Sequence, residues 1–66
     1  MTRTEAIECL KEGYRITHEL FTSDEWVGLD LNGYMVCESG YIDEKEFWEI
    51  RKDGVWETGW RIFENE

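Results

Sequence analysis

Apolar positions change their spacing several times along these 66 residues. Ala6, Ile7 and Leu10 recur at helical spacing, with Cys9 at the edge of the stripe. Thr2 stands where an N-cap belongs, and Glu5 follows three residues later to complete a capping box. Lys11 falls in the last turn and Gly13 where a left-handed cap is wanted, so the pattern predicts a helix over 3–12. The period then drops to two. Tyr14, Ile16, His18 and Leu20 alternate with polar residues and predict a half-buried strand.

Thr22-Ser23-Asp24 reads as a turn. Asn32-Gly33 lies between two strand-like runs, 25–31 and 34–38, and is a strong hairpin signal. A two-residue turn pairs Leu31 with Tyr34 and Leu29 with Val36, giving one apolar face together with Val27. Trp26, Gly28, Asp30, Met35 and Cys37 then share the other face.

The stretch 43–56 is open to two readings. Asp43 can cap a short helix over 44–52, holding Phe47, Trp48, Ile50 and Arg51. Alternatively, Asp53-Gly54 forms a second hairpin turn, but that register sets Ile50 against Glu57 and Arg51 against Trp56. The poor pairing favours the helix. Trp60 to Phe63 closes the chain as a strand. The expected fold is α+β in a single domain, 1–66: an N-terminal helix packed on an antiparallel sheet of about four strands.

Composition sharpens this picture. Ten aromatic residues, four of them Trp, suit a folded core in a chain this short. They exceed what a small core needs, so some are expected at a surface or subunit contact, and a homodimer is the economical expectation. Sixteen acidic residues against seven basic ones leave a net charge of −9. The charge is spread evenly, with three bases and seven acids in residues 1–33 and four and nine in residues 34–66. Such a field repels DNA and anionic membranes and favours a basic partner. Nothing reads as a membrane span or a signal peptide. A Cys9–Cys37 disulfide is one option; reduced thiols in a cytosol are the expectation.

Candidate chemistry is sparse. His18, the only imidazole, sits on an apolar strand face, where a hydrogen-bonded core residue is the better reading than a base or ligand. Cys37 has an acidic setting that disfavours a thiolate. No catalytic residues, no metal and no cofactor are expected, and enzyme is the least favoured class. The acids flanking Trp26 and those of the 43–49 stretch are the expected contacts for a basic partner: Asp24, Glu25, Asp30, Asp43, Glu44, Glu46 and Glu49, with Trp26 and Trp48 as apolar anchors.

Several short runs carry a resemblance. Glu5-Ala6-Ile7, Leu10-Lys11-Glu12-Gly13, Ile16-Thr17-His18, Asp24-Glu25-Trp26, Glu46-Phe47-Trp48 and Gly59-Trp60-Arg61-Ile62-Phe63 look like small proteins encoded by phages and prophages. The first half is also similar to the Thoeris anti-defence sponge family, which implies a small α+β oligomer that sequesters a nucleotide immune signal. Size and charge alone resemble the anti-CRISPR inhibitors, which implies a stand-in for nucleic acid on a host protein. The expectation is a non-enzymatic counter-defence protein in the host cytosol. It would bind the basic surface of a nucleic-acid-handling effector without itself binding nucleic acid. A nucleotide sponge and a small virion or assembly protein are the alternatives.

Overall fold

The computed structural model describes residues 1–64. The elements run α1 (Arg3–Lys11), β1 (Ile16–His18), β2 (Val27–Leu29), β3 (Met35–Cys37), β4 (Gly40–Tyr41), α2 (Glu44–Glu49), a 3₁₀ turn (Gly54–Glu57) and β5 (Trp60–Ile62). The α+β class is as expected, with five strands rather than about four. All pairings are antiparallel, in the order β4-β3-β2-β1-β5.

The start of α1 follows directly from its sequence. The Glu5 amide donates to Thr2 Oγ1 at 3.1 Å and the Thr2 amide donates to Glu5 Oε1 at 2.8 Å, closing the capping box. At the other end the Gly13 amide donates to Leu10 O and the Tyr14 amide to Cys9 O, the paired bonds of a Schellman cap. Ala6 and Leu10 face the sheet and are buried.

The first strand is shorter than the alternation 14–20 suggests. Ile16 and His18 are buried, but Tyr14 and Leu20 project past the sheet and are exposed. Before Ile16 the chain is still leaving the Schellman cap, and beyond His18 it turns, with the Phe21 amide donating to His18 O at 2.9 Å.

The hairpin differs from expectation by one residue. Leu29 lies opposite Met35, Gly28 opposite Val36 and Val27 opposite Cys37. The connection is a three-residue loop, Leu31-Asn32-Gly33, because Asp30 bonds Tyr34 across the ladder and the Gly33 amide donates to Asp30 O at 3.0 Å. Gly33 takes φ +87°, the left-handed position such a loop needs before the strand resumes. Asp30 Oδ1 fixes the loop by accepting from the Asn32 and Tyr34 amides, both at 2.9 Å. A one-residue slip exchanges the two faces. Met35 and Cys37 therefore join Val27 and Leu29 on the core side, and Leu31 is fully exposed.

The stretch after β4 is helical, as the pairing argument favoured. Asp43 Oδ1 accepts from the Glu46 amide at 3.1 Å, capping α2. The helix stops at Glu49 rather than reaching 52, and Asp53-Gly54 opens the 3₁₀ turn instead of a hairpin.

The core is Ala6, Leu10, Ile16, Val27, Met35, Phe47, Trp48 and Trp60. Burying side chains of this size stabilises by about 1.5–3 kcal/mol each for the larger ones. Trp60 is its centre. Its ring meets Trp48 at 5.2 Å, Trp56 at 5.9 Å and Phe21 at 5.8 Å, and its Nε1 donates to Trp56 O at 2.7 Å.

Candidate functional site

Between the β2–β3 hairpin and α2 lies an open cleft of about 360 Å³. Phe21, Val27, Ile42, Phe47 and Ile50 supply its apolar lining, and Glu25, Glu38, Asp43 and Glu46 supply carboxylates. Arg51 is the one cation among the lining residues, so four negative charges and one positive leave the cleft at −3.

Backbone amides hold three of the carboxylates. Glu25 Oε1 accepts from the Thr22 amide at 2.6 Å, Glu38 Oε2 from the Trp26 amide at 3.3 Å, and Asp43 Oδ1 from the Glu46 amide. Each is anchored through one oxygen and oriented before any partner arrives, which lowers the ordering cost of binding.

Arg51 lines the cleft alongside aromatic rings. Its guanidinium carbon lies 4.2 Å from the Phe47 ring centroid, 5.1 Å from Trp56 and 5.9 Å from Phe21. One terminal nitrogen donates to Phe47 O at 3.3 Å, while the buried Nε has no hydrogen-bond partner. Burial pushes this guanidinium below its ordinary value, and the charge of Glu25 opposes the shift. Both ion pairs found among the described residues lie elsewhere, Lys11–Glu8 at 3.5 Å and Lys52–Glu49 at 3.1 Å. The cleft's negative charge is therefore left largely uncompensated from within.

The nine expected contact residues divide by position. Glu25, Trp26, Asp43 and Glu46 come together at the cleft. Asp24 and Glu44 are exposed outside its lining, and Glu49 is engaged with Lys52. Asp30 serves the hairpin loop. Its carboxyl is held below its ordinary value, first by the Tyr34 amide and further by those of Asn32 and Gly33 and by the Tyr41 hydroxyl.

Trp48 is a correction. It is 8% exposed, packed edge-on against Phe47 at 4.9 Å and covered by Arg3 at 5.0 Å from its ring. Core packing rather than partner contact occupies it. Glu38, Phe21, Ile42 and Arg51 were missed. The correct register would have shown Glu38, since it sets that residue beside Trp26; the slipped one sets it against Val27.

One further feature lies outside the cleft, and another reaches it through Trp26. His18 is buried in the aromatic cluster, 4.5 Å from the Trp56 ring and 4.7 Å from Trp60. Its Nε2 reaches Val55 O at 3.1 Å and Thr58 O at 2.7 Å, and its Nδ1 accepts from the Leu20 amide at 3.0 Å. Two carbonyl acceptors at Nε2 and a donor at Nδ1 specify the neutral Nε2–H tautomer. On the sheet face away from the helices, the Arg15 guanidinium lies 4.2 Å over the Trp26 ring, with Phe63 at 6.3 Å on the same ring.

No protein-family model matches the chain, and neither does a curated protein or a solved structure. Among the described residues, no helix is long and apolar enough to cross a membrane.

Proposed function

We propose that this domain is a non-enzymatic inhibitor, carried by a phage or mobile element, that occupies a basic nucleic-acid-handling surface on a host protein. The observation that carries the reading is the cleft: fixed carboxylates over an apolar floor, with more negative charge than its own arginine offsets. A net charge of −9 speeds encounter with a basic surface over a distance the cleft alone does not reach. The apolar floor then supplies contact that survives screening. The counter-defence setting and the host cytosol rest on the loose resemblance of short runs along the chain to phage-encoded proteins, and on size and charge.

The test is displacement. A host nuclease or guided effector is loaded with a labelled oligonucleotide, and the domain is titrated in at rising salt. Release of the label is expected, and it weakens markedly between about 50 and 200 mM salt as the attraction is screened. No release at any concentration, or release indifferent to salt, overturns the reading.

A second reading, the nucleotide sponge, has one observation in its favour. Arg15 stacked on Trp26 next to Phe63 is an aromatic and cationic patch on the open sheet face, and Arg61 is paired with Thr17 on that same face. Calorimetry with cyclic and linear nucleotides tests it, and absence of heat with all of them removes it.

A further inference from the structure

We propose that the cleft between the hairpin and α2 is a lysine socket, taking one primary ammonium and its alkyl stem from the protein partner. This rests on the reading above and names the group that enters. Three observations lead there. First, Glu25, Glu38 and Asp43 are each pinned through one oxygen by a backbone amide, and Glu46 lines the same space. The carboxylates are thus oriented acceptors, but no group of three or more His, Cys, Asp or Glu among the described residues is close enough to hold a metal ion. Acceptors set too far apart to share a metal ion can still take an ammonium, whose N–H donors reach oxygens at the longer hydrogen-bond distance.

Second, the seat for a planar cation is already taken. Arg51 stacks on Phe47 and reaches Trp56 and Phe21, so the aromatic surface on which a partner guanidinium would stack already carries a cation. What remains of the lining is mainly apolar side chains and carboxylates. A flexible four-carbon stem can lie along such a lining while its compact head, with three donors, turns to the nearest acceptors. Third, Arg51 leaves the cleft at −3, so one more cation enters against an unbalanced negative field.

The experiment is fluorescence anisotropy with labelled oligolysine, oligoarginine and acetylated oligolysine peptides of equal length. Two double variants remove the same charge: Glu38→Gln with Asp43→Asn in the cleft, and Glu8→Gln with Glu12→Gln on α1 and its C-cap. Gln and Asn keep an acceptor for the Trp26 and Glu46 amides, and circular dichroism checks the fold. Oligolysine is expected to bind more tightly than oligoarginine, and acetylation to abolish binding. The cleft variant weakens oligolysine binding about tenfold, as expected for two partly screened ion pairs, and the α1 variant changes it by less than about twofold.

Cys37 gives an independent readout, since it lines the cleft while Cys9 lies beside Met1. Oligolysine is expected to slow maleimide labelling of Cys37 and leave Cys9 unchanged. Equal weakening by the two variants, tighter binding of oligoarginine, or an unprotected Cys37 overturns the socket while leaving a general acidic docking surface intact. No binding of either cationic peptide overturns both.

Discussion

Single side chains in this domain do more than one structural task, and His18 shows how much rests on one of them. It bridges β1 to the 3₁₀ turn by satisfying Leu20, Val55 and Thr58, and its ring fills space between Trp56 and Trp60. His18→Phe keeps a flat ring there but strands one amide and two carbonyls away from their partner. The expected loss is about 2–4 kcal/mol, measured by urea unfolding, because unpaired buried polar groups cost more than their bonds gain. The core role of this histidine was legible from its place in the alternation beside Ile16. Trp48 was not legible in the same way. A tryptophan among acids on a short helix reads equally as anchor or core, and only the position of α2 against Trp60 decides between them.

The β2–β3 hairpin shows what local pattern cannot supply. Asn32-Gly33 announced a turn correctly, but the loop length depends on Asp30, whose side chain reaches two amides beyond itself. Both registers place apolar residues on one face, so periodicity alone was indifferent to the slip. The slip then concealed Glu38 as a cleft residue. This latch of Asp30 on the Asn32 and Tyr34 amides is also acid-sensitive. Asp30, like Glu5 in the α1 capping box, has its folded carboxyl held below the ordinary value by hydrogen bonds. The folded form therefore takes up these protons less readily than the unfolded one. Their contribution is complete above the ordinary carboxylate range near pH 4 and is lost as pH falls through the lowered folded values. Asp30→Asn keeps an acceptor and removes the titration, so its urea stability is expected to decline less steeply with acid than that of the parent chain. An identical acid limb would show that the latch does not titrate.

Over the whole molecule, charge and core act against each other. Nine net negative charges repel one another on a body with a radius of gyration of 10.9 Å, comparable to the screening length at about 0.1 M salt. The two ion pairs are largely exposed and lose little when screened. Raising salt from a few millimolar to about 0.15 M is therefore expected to raise the melting temperature, the reverse of its effect on partner binding. A melting temperature that falls with salt would mean that attraction dominates the surface. The α+β class and the acid-rich character were readable from the sequence because period and composition carry them. The cleft was readable only in part, because it is assembled across a register and a helix position that no local window contains. The aromatic cluster has one last consequence. Trp48, Trp56 and Trp60 lie together within the fold, whereas Trp26 is apart from them under Arg15. A Trp26→Phe chain would thus emit light from this cluster alone, and subtracting that spectrum from the parent's would isolate a reporter sitting at the very edge of the acidic trough.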